Sequence, residues 1–233
     1  PSLNQLLRPL SGKIKVALQY LFFRNGPLSM SLNQGGGFVK SDPALNVPDL
    51  QLYFSPLSYS TAPYGRRPLM MPDPYPAVRL GFSLCKPTSE GSISIQSADS
   101  SVPPKLFGNY LSTRYDQQTM ISGMKLMRKL AATEALKKIV HTEMSPGKDV
   151  KSDAELLEYA RLNGETVFHQ CGTCRMGDNP ANSVVDGKLK VRGVYGLRIA
   201  DASIFPTIPS GNINAPSIMV GEKAAELILQ ENK

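Results

Sequence analysis

The sequence predicts an α+β fold, an antiparallel sheet accompanied by helices, on three observations. Val78, Leu80, Phe82 and Leu84 alternate with Arg79, Gly81 and Ser83, the period of a half-buried strand. Ser92, Ser94 and Gln96 alternate with Ile93 and Ile95, and the short, turn-rich stretch 87–91 between the two runs suits an antiparallel pair. Met120, Ile121, Met124, Met127, Leu130 and Ala131 recur at three and four residues, which predicts a long helix over about 116–140 with Asp116 as its N-cap.

The remaining elements follow in order. Ile14, Val16, Ala17, Leu18, Leu21 and Phe22 predict a short helix over 13–23, stopped by Asn25-Gly26-Pro27. Gly35-Gly36-Gly37 reads as a loop, and Leu50 and Leu52 alternating with Gln51 and Tyr53 read as a strand over 49–53. Residues 59–76 are rich in Pro and Tyr and read as a long surface loop of the kind that forms lids. Ser152 followed by Glu155 is a capping-box pattern that starts a helix over 152–162. Val184, Val185, Leu189 and Val191 suggest short strands, and 197–200 a buried strand ending at Asp201. A last helix is expected over about 215–230, carrying Ile218, Ala225, Leu227 and Ile228.

Composition bounds the function. With 233 residues, 41% hydrophobic and 19% charged, the chain can bury a core and is not of the disordered class. The net charge of +7 is carried by scattered basic residues without a nucleic-acid-binding signature, so a solvated basic surface is expected and a nucleic-acid partner is not. No apolar run reaches the roughly 18 residues of a membrane span. The segment 14–23 is too short to cross, but with nearby basic residues it suits peripheral membrane contact, which leaves the location open between cytoplasmic and membrane-peripheral. Three cysteines argue against a disulfide scaffold.

Three segments bear on chemistry. The two histidines are His141, expected at the end of the long helix where it faces the negative end of the dipole, and His169 in VFHQCGTCRMG. By its residues alone His169 reads equally as a general base or a buried structural histidine. Cys171-Gly172-Thr173-Cys174 has redox spacing but no strand–helix context before it, and a zinc site would need two more ligands, so packing thiols are expected and no metal. Asn212 and Asn214 precede the last helix, with Pro216 suited to its first turn; they read either as caps or as a cradle for a polar ligand.

Together these segments resemble the C-terminal region of the glucose-methanol-choline (GMC) oxidoreductases. That pattern is a histidine, then Gly-Thr-Cys and Met-Gly, here His169, Gly172-Thr173-Cys174 and Met176-Gly177. Val184-Val185-Asp186, Val191-Arg192-Gly193, Gly196-Leu197-Arg198, Asp201-Ala202-Ser203, Pro206-Thr207, Gly211 through Pro216 and Gly221 through Ala225 continue it in order. Weaker matches run upstream, among them Gly26-Pro27-Leu28, Pro48-Asp49-Leu50-Gln51 and Asn109-Tyr110-Leu111, so that nearly the whole chain is covered.

The resemblance implies more than the residues do. Residues 1–163 would form most of an antiparallel-sheet substrate domain, and 164–233 would complete an α/β FAD-binding domain. The cofactor implied is FAD, and the reaction is oxidation of an alcohol, with hydride passing to the flavin at its N5 position. His169 would be the base and Asn214 its hydrogen-bonding partner. Asp201 and Ala202 would approach the pyrophosphate or ribityl chain, and Asn212, Asn214, Ala215 and Pro216 would border the flavin ring. The family's G-x-G-x-x-G fingerprint is missing, which implies that the ADP-binding N-terminal half is a separate or cleaved chain partnering this one. A lyase on the same fold, or a fragment without chemistry of its own, are the alternatives.

Overall fold

Ser2 begins the first helix with a reciprocal cap: its side chain accepts from the Gln5 backbone, and the Gln5 side chain accepts from the Ser2 N–H. The structure, a computed structural model, describes residues 2–59 and 71–231. Most of the Pro- and Tyr-rich stretch expected as a lid lies outside those residues. The helices are α1 (Leu3–Leu7), α2 (Leu10–Phe23), α3 (Arg114–Ala131), α4 (Asp153–Asn163) and α5 (Asn214–Glu231). The strands are β1 (Gly35–Val39), β2 (Leu50–Ser55), β3 (Arg79–Leu84), β4 (Ser92–Ser94) and β5 (Lys105–Phe107). Helices combined with antiparallel strands make the α+β class expected from the sequence.

The chain divides into two compact units, Pro1–Ser83 with Gly123–Ser145, and Leu84–Ser122 with Pro146–Lys233. In the first unit, β1, β2 and β3 form one sheet in that order, with β1 antiparallel to β2 in the register Gly35↔Phe54 to Val39↔Leu50. Leu50 is fully buried, and the buried Asp49 carboxylate accepts from the Ser41 backbone at 2.6 Å, closing the β1–β2 turn. Buried Asn4 of α1 donates to the Ser58 carbonyl at 2.8 Å and accepts from the Ser58 N–H at 3.2 Å, which ties the first helix to the chain leaving β2.

Several expectations needed correction. The glycine run 35–37 is a strand: a Cβ on Gly36 would sit 2.2 Å from the Leu52 carbonyl oxygen, so the close approach of β2 demands glycine where side-chain periodicity is blind. β3 and β4 do not pair; β3 lies beside β2, and β4 pairs with the next strand, β5, in the register Ser92↔Phe107 to Ser94↔Lys105. Segment 197–200 forms no strand, meeting the chain through an isolated bridge from Lys190 to Arg198, and Leu197 is about half exposed. Val185 and Val191 likewise meet through isolated bridges. α3 ends at Ala131, where the Thr133 hydroxyl donates back to the Leu130 carbonyl and competes with helix continuation. His141 therefore lies outside the helix, and the dipole argument for it falls. The α4 cap, by contrast, is as the pattern predicts, with Ser152 and Glu155 capping each other.

Gly123 on α3 accommodates the ring of Phe82 on β3: a Cβ would meet ring carbons at 2.3–2.7 Å. Gly123→Leu is expected to destabilise the protein by about 2–3 kcal/mol through overpacking, despite leucine's better helix propensity. Urea unfolding of the variant beside the unsubstituted protein checks this; an unchanged midpoint would place the Phe82 ring elsewhere.

In the second unit, Val185, Leu189, Ile204, Val220 and Ala224 form a buried cluster, with Met176, Phe205 and Leu227 packed against it. Val220 and Ala224 give α5 its buried face, while the expected Ile218 and Ile228 are exposed. At the far end of α5, Glu231 pairs with Lys190 at 2.8 Å and Arg198 at 2.7 Å, and these two donors hold its carboxyl down at about 2.

Candidate active site

The buried cluster brings two stretches together that lie far apart in sequence. The Cys174 N–H donates to the Ser203 carbonyl at 3.0 Å and the Met176 N–H to the Ile204 carbonyl at 2.7 Å, so the chain after His169 runs alongside the chain before α5. Gly172 takes a left-handed conformation (φ +89°) within this crossing, and a Cβ there would come 3.3 Å from the Phe205 carbonyl oxygen. His169 and Asn212, 43 residues apart, meet as a result, with His169 Nε2 2.8 Å from Asn212 Oδ1.

Backbone strain flanks this contact. Phe168 has φ +59°, a left-handed value rare for a bulky residue, and its N–H donates to Thr166 Oγ1 at 3.0 Å. Gln170 Nε2 donates to the same Thr166 hydroxyl at 2.7 Å and to the Tyr110 hydroxyl at 2.9 Å. Tyr110 itself sits between two left-handed residues, Asn109 (φ 49°) and Leu111 (φ 55°). His169 is thus bracketed by side chains that fix the backbone on either side of it. Neither Thr166 nor Gln170 carried a signal in the sequence, and Tyr110 stood out only as part of an Asn-Tyr-Leu match.

The other expected site residues fall close by in sequence. Asn214 is the first residue of α5 and is exposed, as is Ala215; Pro216 lies in the first turn, where its missing N–H leaves no hydrogen bond unmade. The Ile213 carbonyl accepts from both the N–H and the hydroxyl of Ser217, which fixes the start of the helix directly after Asn212. Asp201 begins a short 3-10 turn, Ala202–Ile204, and its carboxylate accepts from the Ser203 N–H at 2.8 Å. The amide that touches His169 is Asn212, and Asn214 is presented two residues further on, at the helix start.

None of the three cysteines forms a disulfide. Burial pushes the Cys171 thiol up, against the pull of nearby Arg175, so the thiolate needed for redox or metal chemistry is disfavoured there. Among the described residues, no group of three metal-ligating side chains comes together.

The family model for GMC oxidoreductase matches residues 87–221, more than half of the chain and the whole of the His169–Asn212 region. The chain belongs to the GMC oxidoreductase family. Among GMC relatives, the alcohol dehydrogenase [acceptor] of Pseudomonas putida is 41% identical over 216 residues, covering 91% of this chain and 37% of that protein. The mitochondrial choline dehydrogenase of Mus musculus is 34% identical over 228 residues, covering 97% and 37%. A formate oxidase from Aspergillus oryzae RIB40, described for the modification of its FAD, superposes with a TM-score of 0.85 at 27% identity over 99% of this chain and 44% of that one. A pyridoxine 4-oxidase superposes with a TM-score of 0.73 at 26% identity over 84% and 37%. The chain spans under two fifths of the length of these two relatives.

Proposed function

We propose that this chain is the C-terminal part of an FAD-dependent oxidoreductase that converts an alcohol to an aldehyde or ketone. The observation that carries the proposal is the 2.8 Å contact between His169 Nε2 and Asn212 Oδ1, directly before the N-terminus of α5. Family membership and the names of the alcohol and choline dehydrogenase relatives support the reaction class.

Oxidising a CH–OH group removes a proton from oxygen and a hydride from carbon. FAD, when bound, supplies the hydride acceptor. His169 takes the hydroxyl proton at Nε2 in the tautomer that carries its own proton on Nδ1; in the contact with Asn212 Oδ1 this nitrogen is the donor, so substrate binding opens that contact. Asn212, with its amide turned to present the NH2 group, donates to the substrate oxygen as negative charge builds on it. An asparagine does not exchange protons near neutral pH, so His169 is the sole base. Asn214, the partner suggested by motif position, supplies the second amide at the same helix start. The residues present suit a flavin ring: two exposed asparagine amides and the open N–H groups of Asn214 and Ala215 are donors for a polar ring that gains negative charge on reduction. Asp201 and Ala202 are assigned to the pyrophosphate or ribityl chain.

We assign residues 1–163 to the substrate side and 164–233 to the FAD side of the site. The ADP end of FAD is assigned to the part of the relatives' length that this chain does not span. The visible absorption spectrum of the purified native protein, repeated anaerobically with a panel of primary alcohols, tests the proposal. Oxidised-flavin bands that bleach with an alcohol are expected; flavin bands that no alcohol bleaches would remove alcohol oxidation from this site.

A further inference from the structure

Thr166 stands at the centre of a small hydrogen-bonded ring around His169. Its Oγ1 accepts from the Phe168 N–H at 3.0 Å and from Gln170 Nε2 at 2.7 Å. The φ bond of Phe168, at +59°, lies between those two donors along the chain. The first bond fixes the chain before that torsion and the second fixes it after. Phe168 therefore cannot return to an extended backbone, the ordinary preference of a bulky residue, without breaking one of them. His169 is carried between the two donors, so the same torsion sets the direction in which its ring leaves the chain. Gln170 extends the ring of contacts outward to the Tyr110 hydroxyl at 2.9 Å. The turn that carries Tyr110 is braced in its own right: Asn109 Nδ2 donates to the Glu90 carbonyl at 2.8 Å, and the Ser112 N–H donates to Ser89 Oγ at 3.0 Å. Glu90 also pairs with Arg175 at 3.4 Å, a second tie between the same two stretches.

We propose that Thr166 is a positioning residue for His169: its hydroxyl, holding the Phe168 N–H and the Gln170 side chain at once, locks the left-handed torsion that keeps the imidazole at the Asn212 amide. The inference rests on His169 being the base of the proposed reaction. A base must reach its proton at hydrogen-bond distance, and a displacement of about 1 Å can cost about a hundred-fold in rate. The hydroxyl is the part of Thr166 that acts. Valine has the same branched shape without it, and serine keeps it without the methyl group. A threonine that only packed would be replaced by valine at little cost and would lose with serine, so the two roles predict opposite orders for the two variants.

The test uses the intact flavin-loaded protein with isotope-labelled histidine, read by NMR; the His169 ring signals are those that vanish in His169→Ala. Asn212→Ala marks where they move when the contact is lost. Thr166→Val should move them toward that position. It should also slow flavin reduction by an alcohol about 10- to 100-fold, with apparent substrate affinity changed less than about two-fold. Thr166→Ser should recover the signal position and most of the rate. Tyr110→Phe, which removes only the outer hydroxyl, should give the same changes in smaller degree, with reduction about three-fold slower. Signals and rate unchanged in Thr166→Val, or a serine variant that behaves like the valine one, overturn the proposal. Where Thr166→Val fails to hold flavin, ring signals unmoved in Tyr110→Phe overturn it. Normal reduction in His169→Ala rejects His169 as the base instead, and the ring signals still decide whether Thr166 holds it in place.

Discussion

Replacing His169 with alanine is expected to lower turnover on an alcohol by about two to four orders of magnitude while flavin stays bound, the usual weight of a lost general base. The expectation rests on there being one proton acceptor at the site. Asn212, the side chain in contact with His169 Nε2, has none to offer at neutral pH. Asn212→Ala should lose less than His169→Ala, because it removes a donor to the developing charge and leaves the base in place. Asn214→Ala should lose less again, unless flavin is released. Stopped-flow reduction of the bound flavin measures the step directly, without interference from slow reoxidation. Near-normal reduction in His169→Ala with flavin retained would reject His169 as the base. A larger loss for Asn214→Ala than for Asn212→Ala would move the partner role to the helix start.

How much of this could be read beforehand depends on the range of the interaction involved. The α4 cap was legible because Ser152 and Glu155 complete it within one turn. The α5 boundary was legible because Pro216 and the two asparagines act locally at a helix start. The partner of β4 was not legible, because β5 is only three residues long, Lys105–Phe107, too short for a periodic signal. The site was legible to the level of a histidine and a pair of asparagines, since those residues stand in a recognisable order. Which asparagine meets the histidine was not, because the choice is made by the backbone crossing at Gly172 and by the hydrogen bonds from Cys174 and Met176 to the chain before α5. The supports from Thr166, Gln170 and Tyr110 were invisible for a further reason: left-handed backbone at Phe168 and Leu111 breaks residue preference, and sequence statistics point away from it.

Asp116 shows most clearly how a tertiary partner overrides a local pattern, and Asp116→Ala is expected to carry the largest stability cost, about 2–4 kcal/mol. Its position before an apolar repeat suggests an N-cap. Thr113 caps α3 instead, with its hydroxyl accepting from the Asp116 N–H at 3.3 Å. The Asp116 carboxylate, 1% exposed, accepts from the Thr88 N–H at 2.8 Å, the Thr88 hydroxyl at 3.0 Å and the Ser89 N–H at 2.8 Å. Burial works against the charge, but the donors from Ser89 and Thr88 outweigh it and hold the carboxyl below its ordinary value of 3.8. Truncation leaves those buried donors without an acceptor, which is where the cost arises. A lowered carboxyl stabilises the folded protein above its ordinary value, and that contribution is lost as pH falls through the folded value. The gap in stability between the unsubstituted protein and Asp116→Asn should therefore be full near neutrality and should narrow below about pH 4. Function should follow stability, because the anchored turn continues into the segment that carries Tyr110, the side chain that holds Gln170 beside His169. Denaturant titrations of Asp116→Asn and Asp116→Ala at neutral and acid pH would show it; a gap that stays constant with pH would mean that the buried carboxyl is not the charged acceptor on which this turn is built.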